Sequence, residues 1–317
     1  MRHIFFSLLF ALFFTILVSP VSALAAKTIH VLASTFPIYQ ITRNVTLGVD
    51  GVELDLMIPA GLGCPHDYAL TPQDMHKLAK ADLLVINGLG MEEFLGAPLK
   101  KANAGLQIID SSKGITPLPM REVEHDEVHD AHEVQHETGH HHHGSPNPHL
   151  FASPAMAALI AENIAQDLAI KYPEKAEQIR TNGTAYSKKM RTLAHKMKQT
   201  GSTLRNNRIV TQHGVFDYLA RDMGLEVVAV VQAHAGQNPS ASEMLSIVSI
   251  IKSSKAGAIF TEPQYPEAIG RTLAREAGIK SARLDPAATG PELAPIDYYQ
   301  QIMQANLKTL VDTLGSR

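Results

Sequence analysis

The sequence predicts an α/β protein of two lobes, each a mainly parallel β-sheet flanked by helices. Three observations predict it. Strand-like and helix-like segments alternate from residue 28 to residue 112. The same alternation resumes at residue 206 and runs to residue 286. Between them, residues 153 to 201 carry helical patterning without a strand signal. The first residues stand apart. "MRHIFFSLLFALFFTILVSPVSALAAK" has a short leader with Arg2, an apolar stretch from Ile4 to Val18, and small residues at Ala23 and Ala25. This pattern predicts a signal peptide, residues 1–25, cleaved after Ala25. The apolar stretch is short for a membrane span, and no cysteine at the cleavage point offers a lipid anchor. The mature chain is expected to be soluble and exported to the periplasm, with no stable membrane insertion.

The elements follow in order. "TIHVLAST" reads as a strand, and "PIYQITRNVTLG" as a helix with Pro37 near its start. "VELDLMIPAG" is the next strand, and "TPQDMHKLAKA" a short helix with Thr71 as its cap and Pro72 inside it. "ADLLVINGLG" and "LQIIDSS" complete the first set of strands. The central stretch opens with "SPAMAALIAENIAQDLAIKYP", where Ser153 caps and Pro154 follows. "EKAEQIRTNGTAYSKKMRTLAHKMKQT" then carries a long helical pattern despite Gly183. A helix of that length spans roughly 40 Å, enough to run between two lobes and restrict their hinging. The second set comprises the strand "NRIVTQHG", the helix "VFDYLARDMG", the strand "LEVVAVVQ" and the helix "SASEMLSIVSIIKSSKA". The strand "GAIFTEPQ", the helix "YPEAIGRTLAREAG" and the strand "IKSARLDP" close it. The expected division is a lobe at 26–172 including a histidine- and acid-rich loop at 121–144, a connecting helix at 173–201, and a lobe at 202–317.

Composition narrows the function. Of 317 residues, 28 are basic and 31 acidic, and no basic cluster is dense enough to track a phosphate backbone, so no nucleic-acid partner is expected. The single cysteine, Cys64, cannot form an intrachain disulfide, so the core alone must hold the fold. No Walker motif is present, and Gly88 and Gly90 lack the third glycine of a dinucleotide-binding turn.

Histidine carries the chemical signal. In parallel α/β sheets, ligands bind beyond the carboxyl ends of the strands. His66 in "IPAGLGCPHDYALTPQD" and His213 in "NRIVTQHGVFDYLA" have that setting, as does Asp285 in "SARLDPAATG". His149 in "GSPNPHLFASP" is held between Pro148 and Pro154. Three imidazoles and a carboxylate suit tetrahedral Zn²⁺. The same set could hold Mn²⁺ or Fe²⁺. None of the four forms a compact signature such as HExxH, so spacing alone leaves each open to a loop role.

The chain resembles the periplasmic solute-binding proteins (cluster A-I) that serve ABC importers for zinc and manganese, and most closely the zinc-uptake type. The matching segments are "VLASTFPIYQITRNV", "PAGLGCPHDYALTPQDMHKLAKADLLVINGLGMEEFL", "NPHLFASPAMAALIAENIAQDL", "IVTQHGVFDYLARDMGL", "AIFTEPQYPEAIGRTLAREAGI" and "ARLDP". They cover essentially all of the mature chain in the same order. The resemblance implies two α/β lobes joined by a long rigid helix, with metal in the cleft between them. It implies His66, His149, His213 and Asp285 as ligands, Zn²⁺ as the transported ion with Mn²⁺ or Fe²⁺ as alternatives, and a membrane permease with its ATPase as partners of a monomer. Two departures stand out. Cys64 replaces a small residue two positions before His66, where a thiolate could also reach zinc, and Asn147 replaces the aspartate of the DPH-like motif. Glu262 is expected to accept from a ligand imidazole N–H, and Glu92 to shape the first lobe. His30, His76, His195 and His234 are expected to be surface or packing residues.

A rival class is a zinc hydrolase or hydratase, in which three histidines leave an open position for water. Asp285 decides between them, since a closed shell serves capture. The run from Arg121 to Gly144 has eight histidines and seven acidic residues with almost no apolar content. It is expected to form no core of its own and to collect zinc weakly at several sites. Four of its histidines, 125, 129, 132 and 136, would share one face of any helix it formed.

Overall fold

A computed structural model describes residues 28–63, 65, 68–121, 144–232 and 238–316. The leader, Cys64, His66, His234 and the histidine-rich run from 122 to 143 lie outside the described residues.

Two four-stranded parallel sheets have the same strand order. In the first lobe β1 (Ile29–Ala33) lies between β2 (Val52–Leu56) and β3 (Leu83–Ile86), with β4 (Gln107–Asp110) beyond β3. In the second, β5 (Arg208–Thr211) lies between β6 (Glu226–Val230) and β7 (Ala258–Thr261), with β8 (Lys280–Arg283) beyond β7. The register pairs Val31 with Leu83 in one sheet and Ile209 with Ala258 in the other. Each order reverses direction beside its first strand, which opens a crevice at the carboxyl ends of the central pair.

The helices of the first lobe are α1 (Phe36–Val45), α2 (Pro72–Lys80) and α3 (Gly96–Ala102). Thr71 begins α2 with a reciprocal cap: its Oγ accepts from Asp74 N, and the Asp74 carboxylate accepts from Thr71 N. The central pair is α4 (Pro154–Lys171) and α5 (Ala176–Thr203). Ser153 Oγ accepts from Ala155 N at 3.2 Å and starts α4. Buried residues surround α4 on most sides, as expected of a helix packed in the middle of the molecule. The 28 residues of α5 reach about 42 Å. A Cβ on Gly183 would fall 2.4 Å from Ala165 Cβ, so glycine lets α5 approach α4. A Cβ on Gly201 would fall 2.0 Å from the Met223 carbonyl oxygen, so the far end of α5 is equally tight against the second lobe.

The second lobe adds α6 (Asp217–Met223), α7 (Ala241–Ser254), α8 (Ala268–Ala277) and α9 (Tyr298–Leu314). One buried apolar cluster runs through both lobes, from Ile29 and Ile38 through Ile164 and Met190 to Phe216, Tyr299 and Leu310. Two smaller clusters fill the outer faces. Leu78 and Leu84 anchor one under α2, and Ile251 and Ile259 the other under α7. Among the described residues, no helix is long and apolar enough to cross a membrane.

Candidate metal centre

His213 lies two residues beyond β5, and Glu262 follows the last residue of the neighbouring strand β7. Adjacent strand ends therefore bring the two together. His213 Nδ1 is 2.6 Å from Glu262 Oε1, with both side chains buried. A carboxylate oxygen can only accept from this nitrogen, so Nδ1 carries the proton and Nε2 presents the lone pair. That Nε2 is buried and has no hydrogen-bond partner among the described residues. An orphaned imidazole nitrogen is costly in an apolar site, and a metal ion would satisfy it. The other Glu262 oxygen accepts from Gln264 Nε2 at 2.8 Å, so both oxygens are engaged.

His149 comes from the opposite lobe, on the turn before α4, and is fully buried. Its ring centroid is 5.2 Å from that of His213, the planes 79° apart. Asn147 governs its orientation. Asn147 Oδ1 accepts from His149 N at 3.0 Å and lies 2.8 Å from His149 Nδ1. A backbone N–H fixes that atom as the amide oxygen, so His149 Nδ1 also carries its proton and Nε2 is the basic nitrogen. Two histidines in one crevice thus share one tautomer, the one that aims Nε2 as a donor.

Asp285 lies two residues beyond β8. Asn306 on α9 grips its backbone on both sides: Asp285 N donates to Asn306 Oδ1 at 2.9 Å, and Asn306 Nδ2 donates to Asp285 O at 2.6 Å. Burial pushes the Asp285 carboxyl above the usual carboxylate range. An N–H bond from Ala287 pulls it back, and the negative charge of Glu262 pushes it up again. Asp285 therefore shares the field of Glu262. The strain needed to make this turn shows at Ala287, whose φ of +59° is left-handed.

The first lobe contributes a second buried carboxyl. Glu92 accepts from Ser34 Oγ at 2.7 Å, Asn87 N at 2.7 Å and Gly88 N at 3.1 Å. Burial drives its pKa up to about 7, against those three bonds and with help from Asp110. Asn87 then donates to Pro148 O at 2.9 Å, which ties this cluster to the turn carrying His149. Gly88 permits the arrangement: its φ is +86°, and a Cβ would lie 2.1 Å from Asp110 Oδ1.

The structure thus brings His149, His213 and Asp285 to the carboxyl-end side of the sheets. Among the described residues, no three His, Cys, Asp or Glu side chains close on one point. His66 and Cys64 lie outside the described residues. His30, His76 and His195 are exposed, and His30 pairs with Glu53 at 3.2 Å. Asn306, Asn87 and Asp217, which hold the site's loops, carried no signal in the sequence. Asn306 is far from Asp285 in the chain, and Asp217 reads only as an acid in the first turn of a helix.

Two parallel α/β lobes of matching topology, joined by a long helix and meeting at a buried pair of imidazoles, have the fold of the solute-binding class. The chain belongs to the family described as zinc-uptake complex component A, periplasmic (ZnuA), whose model matches residues 31–313. It is 30% identical over 288 residues to a zinc-binding lipoprotein, AdcA, of Streptococcus pneumoniae, covering 90% of this chain and 56% of that one. The chain thus spans little more than half the length of the streptococcal relatives it matches. It is 29% identical over 290 residues to the high-affinity zinc uptake system protein ZnuA of Bacillus subtilis, covering 90% of this chain and 88% of that one. A crystal structure of ZnuA superposes with a TM-score of 0.74 at 26% identity, covering 91% of this chain and all of that one.

Proposed function

We propose that this chain captures Zn²⁺ in the periplasm and delivers it to the permease and ATPase of an ABC importer, working as a monomer after removal of residues 1–25. The observation that carries the reading is the Nε2 of His213, buried and without a hydrogen-bond partner among the described residues, on a ring whose centroid is 5.2 Å from that of a second imidazole. His66, His149, His213 and Asp285 are the proposed ligands, two from each lobe. Nitrogen donors favour zinc, and Mn²⁺ or Fe²⁺ are the alternative cargo. Coordination would neutralise the field between Asp285 and Glu262 and offset dehydration of the ion.

A hydrolytic zinc enzyme fits less well. A base beside a metal-bound water needs an available carboxylate or imidazole. Glu262 has its two oxygens committed to His213 and Gln264. The run from 121 to 144 is proposed to gather zinc at weak accessory sites. Calorimetric titration of the metal-free chain tests both ideas. One tight zinc site should survive deletion of 122–143, which spares Arg121 and its bond to Asp217, while weaker sites vanish. The tight site should be lost in the His66→Ala/His149→Ala/His213→Ala variant of that deletion. A tight site persisting in the triple variant sinks the ligand assignment. A parallel titration with Mn²⁺ ranks the two metals.

A further inference from the structure

Asn147 sits at the meeting of the lobes, fully buried, and uses every polar atom of its side chain. Its Oδ1 accepts from the backbone and ring of His149. Its Nδ2 donates across the cleft to Gly214 O at 2.9 Å, the residue next to His213, and to Asp217 Oδ2 at 3.1 Å. Amide orientation is fixed by chemistry. His149 N–H must meet an acceptor, and Gly214 C=O must meet a donor. One side chain therefore holds the ring of one imidazole and the backbone adjoining the other.

The surroundings reinforce the bridge. Arg121 Nε donates to Asp217 Oδ1 at 2.9 Å, so the carboxylate that receives Asn147 is itself paired. Tyr218 OH donates to Asn147 O at 2.7 Å and accepts from Leu118 N at 3.0 Å. Asn147 N donates to Leu118 O at 2.7 Å. Backbone and side chain of residue 147 are thus both anchored, to α6, to Gly214 before it and to Leu118.

We infer that Asn147 is a positioning residue that sets the separation of the His149 and His213 imidazoles by spanning the cleft, and that this requires an amide. This rests on the zinc-site reading above. A carboxylate at 147 would still accept from His149. It would also place an oxygen against Gly214 O and Asp217 Oδ2 at hydrogen-bond distance, turning two attractions into two repulsions. The substitution Asn147→Asp therefore separates the ring-orienting half of the residue from the cleft-spanning half. Exchanging the partners removes one of the two repulsions, that with position 217, and leaves the one with the Gly214 carbonyl. In Asn147→Asp/Asp217→Asn, the new amide at 217 can donate to position 147 and accept from Arg121, with the number of carboxylates unchanged.

The test is zinc affinity of the full chain by chelator competition at neutral pH, with the d–d spectrum of the Co²⁺-loaded protein reporting ligand geometry. Asn147→Asp keeps the acceptor behind His149 but breaks the bridge to Gly214 and Asp217, and should bind zinc on the order of 10- to 100-fold more weakly, the usual effect of mutating a group that orients a ligand, with shifted Co²⁺ bands. Asn147→Asp/Asp217→Asn should regain about threefold to tenfold of that loss and move the Co²⁺ bands back towards the parent's. Asn147→Asp binding within about threefold of the parent, or a double variant no tighter than the single, overturns the inference. If the single variant does not fold, the folded double variant decides: zinc binding within about tenfold of the parent supports the inference, and weaker binding overturns it. A parent chain without a tight zinc site overturns the metal reading instead and takes this inference with it.

Discussion

Glu262→Gln removes one negative charge from behind His213 and little else. Glu262 Oε1 accepts from His213 Nδ1 at 2.6 Å, and an amide oxygen at that place can still accept. The second oxygen now receives Gln264 Nε2 at 2.8 Å, and there a new NH₂ group would meet a donor. Gln264 can turn its amide over, because its Oε1 is buried and unpartnered among the described residues. The hydrogen bonds then survive while the charge is lost. Both His213 and Glu262 are buried, at 4% and 0% side-chain exposure, so solvent screens the interaction weakly. Loss of a charged partner behind a metal-bound imidazole lowers affinity roughly 10- to 100-fold, or about 1.4–2.7 kcal/mol, and burial favours the upper end. Chelator-competition titration with Zn²⁺ measures it. The melting temperature of the metal-free protein should change little, and the rise on adding zinc should shrink. A variant that binds zinc within about twofold of the parent would refute the reasoning, because the Glu262 charge would then not act through His213.

Two further predictions concern the scaffold. Glu92 has its pKa raised from 4.5 to about 7, so the folded state holds a proton that the unfolded state has released between those values. Its contribution is unpenalised below the lower value, falls as pH rises through the window, and is lower by about 3 kcal/mol above it. Urea unfolding at pH values on both sides of the window should show this slope in the parent and not in Glu92→Gln; an unchanged slope assigns it to another group. Gly201→Ala should destabilise the fold by about 2 kcal/mol, because the added methyl meets the Met223 carbonyl, a backbone atom that cannot swing aside. Helix propensity alone predicts a gain of about 1 kcal/mol, so the sign of the shift in urea midpoint decides between packing and propensity.

Local signals reveal some parts of this molecule and leave others dark. Thr71-Pro72 and Ser153-Pro154 marked helix starts because capping is a contact within a few residues, and both caps are present. His213 could be placed at a strand end because the pattern changes from strand to helix around it. The helix α9 gave no comparable cue, and its role depends on Asn306, whose grip on Asp285 spans 21 residues. Asn147 was visible as a departure from an acidic motif, yet its function was not. The amide is needed because Gly214 O and Asp217 stand opposite it, and those residues come from another lobe. Glu92 was read as a shaping residue, and its three donors show how. Patterning thus reports what a residue does to its neighbours in sequence. Tautomers, orphaned nitrogens and cross-lobe bridges are set by neighbours in space.

The apolar cluster that passes unbroken from the first lobe through α4 and α5 into the second has a kinetic meaning. Halves that share a core cannot part widely without exposing it, so the cleft has no cheap open state. How long an ion held by the proposed ligands would stay is then governed by brief excursions of the loops that bear them, rather than by a swing of the whole molecule. Such excursions are rarer for a side chain tethered behind, as His149 is by Asn147 and His213 by Glu262. Under the proposed function, emptying the cleft on a useful timescale would call for mechanical work from outside, applied by a body that grips both lobes at once.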